Sequence, residues 1–178
     1  MTWIDSLLKL VVDFIPLRVV RANEQAVIEI FGRYWMTVGP GLYPHCKYLF
    51  EVDSEVVTEQ GIDCPNQLLT SRDDVRVTVS CNVTYDVSDA GLKHLKAHDA
   101  DRLLGLEAMR YVARVIRRYD YATIQKNQNA LERQLRRRLR KRADGWGMRL
   151  TDAGFTHFAK MPMPIHLLND QSFKYKED

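Results

Sequence analysis

The sequence predicts an α+β fold, an antiparallel sheet with helices packed against it, and three patterns carry that prediction. Val75, Val77, Val79, Cys81, Val83, Tyr85 and Val87 alternate strictly with Arg76, Thr78, Ser80, Asn82, Thr84 and Asp86. Only a long half-buried strand sustains a period of two that far. Two later stretches, Asp99–Tyr119 and Asn127–Ala143, repeat apolar residues at helical spacing. Between Asn23 and Pro44, two short strand-like runs are joined at Gly32-Arg33, and a second turn follows at Gly39-Pro40-Gly41.

A chain of 178 residues, 46% hydrophobic, fits one domain with a real core and argues against disorder. Its three cysteines, Cys46, Cys64 and Cys81, show no close-spaced pair. They read as free thiols of a reducing, cytoplasm-like compartment and give no zinc signature. The net charge of +3 conceals a polarity. From Arg102 to Arg149 there are 14 Lys+Arg against four acids, +10, while the rest carries 12 against 19, or −7. One part of the chain is therefore expected to meet an anionic partner.

The first element is a helix over Met1–Ile15, ended by Pro16, with Thr2 and Asp5 forming a capping box. Trp3, Ile4, Leu7, Leu8, Val11, Phe14 and Ile15 form a wide apolar arc around a narrow stripe of Asp5, Lys9 and Asp13. Such a helix spans roughly 20 Å against about 30 Å of bilayer hydrocarbon, too short to cross alone. It lacks the basic n-region and small-residue cleavage site of a signal peptide. Docking on the domain and anchoring at a membrane interface both fit this pattern.

In the opening hairpin, Ala26–Phe31 sets Ile28 and Ile30 on one face and Glu29 on the other, with Trp35 and Val38 supplying cross-strand packing. Tyr48–Gln60 has a strand's composition, Cys64-Pro65-Asn66 breaks it, and Gln67–Thr70 leads to a turn at Ser71–Asp74. After the long strand, Asp89–His98 reads as a short helix. Asp99 is expected to cap the next, whose buried face is Leu106, Met109, Ala113 and Ile116. Tyr121–Ile124 reads as a connection. The last helix has a thin seam of Leu131, Leu135 and Leu139 surrounded by Arg133, Arg136, Arg137, Arg138, Arg140, Lys141 and Arg142. Gly145-Trp146-Gly147 stops it, Met148–Thr156 returns as a strand, and Met161–Pro164 forces an extended exit.

The wording of these segments goes further. Glu24–Tyr34 reads Glu-x-Ala-Val-(hydrophobic)-Glu-x-Phe-Gly-Arg-Tyr and is followed by Gly-Pro-Gly-Leu at Gly39–Leu42. Leu69–Val75 (LTSRDDV) introduces the long strand, which closes on Tyr85–Asp89 (YDVSD); later come a Trp146-Gly147 turn and Pro164-Ile165. Together these resemble the stomatin/prohibitin/flotillin family, also called the band-7 or SPFH domain, over Val20–Leu168. The resemblance implies an SPFH domain at 17–168, preceded by a membrane-anchoring helix at 1–16 and followed by a polar tail at 169–178. Family members commonly continue into a long coiled coil, whereas this sequence ends at Asp178. Its turn before the long strand carries one extra residue, and Arg133–Arg142 is richer in arginine than the family leads one to expect.

There is no nucleophile elbow, P-loop or paired-carboxylate motif, and Gly39-Pro40-Gly41 lacks the Lys-Ser/Thr of a phosphate cradle. His94 and His98 stand at i, i+4, but HLKAH lacks the zincin Glu, and His45-Cys46 lacks a third group to orient a base. Cys81 is expected to pack in the core. The expectation is a non-enzyme without cofactor or metal.

The arginine cluster is the sharp signal. A solvated helix face would mix in glutamates, and Glu132 stands almost alone. Lipid headgroups, nucleic acid or the acidic surface of a second copy would each neutralise it. The resemblance implies a scaffold that assembles laterally with itself into rings or arrays on an anionic membrane and organises lipids or proteins there. Some relatives regulate membrane proteases. The alternative is a soluble nucleic-acid-binding protein using the arginine helix.

Overall fold

The computed structural model describes residues 17–45 and 49–161. The expected membrane helix with Trp3, Ile4, Leu7, Leu8, Val11, Phe14 and Ile15, the residue Cys46, and the stretch 162–178 lie outside the described residues.

Nine strands and four helices follow one another among the described residues: β1 (Leu17–Val20), β2 (Glu24–Ile30), β3 (Arg33–Val38), β4 (Gly41–Pro44), β5 (Phe50–Val56), β6 (Gln60–Asp63), β7 (Gln67–Thr70), β8 (Arg76–Val87), α1 (Ala90–Lys96), α2 (Ala100–Arg118), α3 (Tyr121–Lys126), α4 (Gln128–Asp144) and β9 (Met148–Lys160). The α+β class holds, with the strands divided among three antiparallel sheets. β1 pairs with β4, Leu17 opposite Pro44. β2 lies between β3 and β5. β8 pairs with β6 and β7 along one edge and with β9 along the other.

The alternation along β8 does what its pattern requires. Val77, Val79, Cys81, Val83, Tyr85 and Val87 are buried, and the intervening residues are half-buried or exposed. Their face packs with Leu104, Ala108, Val112, Val115 and Ile116 of α2 and with Leu131, Leu135, Leu139 and Ala143 of α4. Val27 joins this core from β2, whereas Ala26 and Ile28 on the opposite face join a second cluster with Val20 and Val52. The central strand β2 thus faces apolar side chains on both sides.

Several elements depart from expectation. Leu106, Met109 and Ala113 are only half-buried, because α2 turns Leu104, Gly105, Ala108, Val112 and Val115 inward beside Ile116, which is buried as expected. A Cβ on Gly105 would come within 3.2 Å of Ile62 on β6, so close approach selects glycine there. Asp89 caps α1 by accepting from the Leu92 backbone N–H at 2.9 Å. Asp99, expected to cap α2, instead adopts left-handed backbone, φ 59°, without a capping bond. Tyr121–Lys126 is a helix rather than a connection, and its Tyr121 N–H is satisfied by the Asp73 carboxylate at 3.1 Å from the turn before β8. Leu17–Val20 forms a strand by pairing with β4, across two intervening strands of the chain, and Gln67–Thr70 forms one by folding back on β8 across the Ser71–Asp74 turn. β9 runs on to Lys160, past the expected end at Thr156.

Candidate functional site

The helix α4 buries Leu131, Leu135 and Leu139 at i, i+4 and so holds its seven cationic residues around the remaining arc. The structure separates them into three sectors. Arg136 turns toward β9, where it lies 3.2 Å from Asp152 and 3.6 Å from Glu132 of its own helix. Glu132 also accepts from the Phe155 N–H at 3.2 Å, tying helix to strand. Arg136 is therefore a partner of the fold as well as one of the helix's seven cations.

Arg138 and Arg142 form the second sector, one turn apart on the side facing α2. The Arg138 guanidinium lies 5.9 Å from the centre of the Tyr111 ring, and Arg142 lies 5.5 Å from that of Trp146. Arg142 also approaches Glu107 at 3.8 Å, a second acid that the local sequence pattern of α4 does not display. With Gln134, Arg137, Leu139 and Lys141 these residues bound a groove of about 690 Å³ between α2 and α4. The Tyr111 hydroxyl donates to Gln134 Oε1 at 3.2 Å, and burial raises its pKa. The third sector, Arg133, Arg137, Arg140 and Lys141, is exposed and borders a shallow depression that also includes Asp144, with Arg137 and Lys141 lying on the ridge shared with the groove.

A second feature lies at the other end of the described chain. Phe31 and Gly32 form the two-residue turn between β2 and β3, with φ of 50° and 71°. Phe31 is 74% exposed and Trp35 56%, and Tyr34 and Met36 are exposed beside them. The expected cross-strand packing of Trp35 is not what the strand does with it. Leu17, Val19 and Leu42 on β1 and β4 add further exposed apolar surface. The sequence pattern pointed to packing for Trp35 and to a turn at Gly32-Arg33; the turn is Phe31-Gly32, and a Phe beside Gly at a position favouring asparagine was the available signal.

A third feature is a polar cleft of about 480 Å³ where α1 and α2 meet β5. Lys93, only 7% exposed, sits in its floor and pairs with Glu55 and, at 2.9 Å, with Asp101. Asp53 and Asp99 also line the cleft, giving four carboxylates against one ammonium. His94 Nε2 lies 2.7 Å from Glu29, and His98 falls beyond the end of α1, so the two histidines share no helix face. Cys64 and Cys81 are buried free thiols joined through their backbones, Cys64 N–H to Cys81 C=O at 2.9 Å. Among the described residues no group of three or more His, Cys, Asp or Glu is placed to hold a metal ion, and no helix is long and apolar enough to cross a membrane.

The family model "SPFH domain / Band 7 family" matches residues 18–159. The chain belongs to this family. Among curated proteins it is similar to stomatin-4 of Caenorhabditis elegans, 28% identical over 142 residues, 77% of this chain and 50% of that protein. It is also similar to an uncharacterised protein of Methanothermobacter thermautotrophicus, 26% identical over 81% of this chain and 45% of that one. A third relative, an uncharacterised protein of Archaeoglobus fulgidus, is 26% identical over 84% of this chain and 60% of its own length. The chain thus spans about half the length of the curated relatives it matches. The Band 7 match runs from Arg18 in β1 to Ala159 in β9, so all thirteen described elements fall within or overlap the SPFH domain.

Proposed function

We propose that the protein is a non-enzymatic, membrane-associated scaffold whose copies assemble laterally and organise lipids or proteins in the membrane plane. The observation that carries this reading is Phe31. A bulky side chain in left-handed backbone costs on the order of 1 kcal/mol, a strain that functional sites tolerate. Here the side chain points out beside Trp35 and Tyr34 rather than into the core. Aromatic and apolar residues gathered on an exposed edge suit a headgroup boundary. β1, whose Leu17 and Val19 are exposed, directly follows the apolar segment ending at Ile15 and Pro16. Family membership supports the same reading.

Lateral assembly rests on charge. Arg133, Arg137, Arg140 and Lys141 face outward, and the cleft with Asp53, Glu55, Asp99 and Asp101 offers a complementary acidic surface on a second copy. Two different surfaces meeting head-to-tail close into rings or continue as arrays.

Replacing Phe31 with Asn tests the membrane face. Asn-Gly suits a turn with positive φ at both positions, so the variant should melt roughly 1–3 °C higher than wild type. It should also float less well with phosphatidylcholine–phosphatidylglycerol vesicles. Unchanged flotation in a variant that has gained stability would remove the hairpin from the membrane face.

A further inference from the structure

We propose that the groove between α2 and α4 binds a phosphate ester, carried by a small soluble molecule or by a lipid headgroup. This goes beyond the scaffold reading and does not require self-assembly. The groove gathers Arg137, Arg138, Lys141 and Arg142 against the single carboxylate of Glu107, a local excess of three positive charges. Its volume of about 690 Å³ lies within the range of small-molecule sites.

Two of the four cations are already oriented. Arg138 rests near the Tyr111 ring at 5.9 Å and Arg142 near the Trp146 ring at 5.5 Å, distances at which a guanidinium is attracted to an aromatic face. A guanidinium held in place loses less rotamer freedom on binding than a splayed surface arginine. Because Arg138 and Arg142 are one helical turn apart, both address the same length of groove. Guanidinium groups donate paired hydrogen bonds to phosphate oxygens, so a phosphate dianion can engage the two together. The Tyr111 ring gives the groove apolar surface for the carbon side of an ester. Glu107 approaches Arg142 at 3.8 Å, too far for a strong hydrogen bond, and leaves that guanidinium able to take a better acceptor.

Calorimetric titration of the full chain with glycerol 3-phosphate and with inorganic phosphate tests the site, with sodium chloride at matched ionic strength as the blank. Binding should weaken about tenfold in Arg138→Gln and in Arg142→Gln, the scale of one charge-assisted bond. It should persist in Tyr111→Phe, which keeps the ring, and fall in Tyr111→Leu, which removes it. Arg133→Gln, on the outward face, should bind within about twofold of wild type. Failure of wild type to bind either probe overturns the proposal. So does an equal loss in Arg133→Gln, which would mean a diffuse field rather than a site. Vesicles of phosphatidylcholine with and without phosphatidylglycerol then identify the source. Displacement of glycerol 3-phosphate by the anionic vesicles alone supports a lipid headgroup, and its retention supports a soluble ester. Assembly mass measured on the wild type reports separately on the scaffold: a wild type that binds phosphate yet runs as a monomer counts against lateral assembly alone.

Discussion

Arg136 on α4 reaches the Asp152 carboxylate on β9 at 3.2 Å, while Glu132, one turn earlier on the helix, lies 3.6 Å from it. This triad divides the arginine-rich helix into residues that hold the domain and residues that face away from it. Reversing Arg136 to Glu would gather three carboxylates beside the helix–strand contact. All three groups keep some solvent access, so the loss should be modest, about 1 kcal/mol, or a fall of roughly 2–4 °C in melting temperature. Arg140→Glu should leave the melting temperature within about a degree, since exposed substitutions seldom move stability far. The triple change Arg133→Glu, Arg137→Glu and Arg140→Glu should keep the circular dichroism and melting of wild type while shifting the protein to smaller species. Raised salt should act in the same direction, because exposed charges are screened within about 10 Å at 0.1 M. An unchanged mass would end the case for these arginines as lateral contacts.

The long strand makes a sharper prediction. Val79 is 1% exposed and lies in the core shared with α2 and α4, whereas Thr78 is half-buried on the opposite face. Val79→Asp should unfold the domain, since an unpaired buried carboxylate costs several kcal/mol, close to the whole stability of a typical domain. Thr78→Asp should remain folded with a cooperative melt. Chemical denaturation of both variants checks this, and equal damage would mean that both faces of the strand are sealed.

What was legible in the sequence was whatever local period expresses. The alternation of β8 and the Leu131–Leu135–Leu139 seam needed no partner to be read. On α2, Ile116 is buried as expected, but Leu106, Met109 and Ala113 are half-buried: contact with β6 selects Gly105, which hydrophobicity alone does not mark. The start of α3 depends on Asp73, remote in sequence, and β1 exists through pairing with β4, which is not its neighbour in the chain. At the candidate sites, the cationic residues of α4 could be named but not sorted. Asp152 and Glu107, which claim Arg136 and Arg142, come from other elements, as does Tyr111, which orients Arg138. The exposure of Phe31 and Trp35 was hidden because aromatic residues in a hairpin ordinarily pack across strands.

Lys93 supplies a prediction with a pH signature. Its ammonium enters the cleft from α1 and pairs with Glu55 of β5 and Asp101 in the first turn of α2, joining three elements. Burial opposes its charge, but the hydrogen bonds and charges of Glu55 and Asp101 outweigh burial, and its pKa lies above the ordinary lysine value. A lysine pKa raised in the folded state contributes stability that is fully present below the unfolded value of about 10.4. That stability is lost as pH rises through the folded value. Lys93→Met keeps much of the side-chain volume and removes the charge, leaving two carboxylates without their counter-ion. Both are about two-fifths exposed, which limits the damage, so about 2 kcal/mol is expected at pH 7. The gap between wild type and Lys93→Met should stay constant from pH 7 to about 10 and narrow above that, as wild type loses its ammonium. Urea denaturation across this range measures the gap. If it keeps the same width above pH 11, Lys93 stabilises the junction by packing its methylene chain, and the three-way ion pair contributes little.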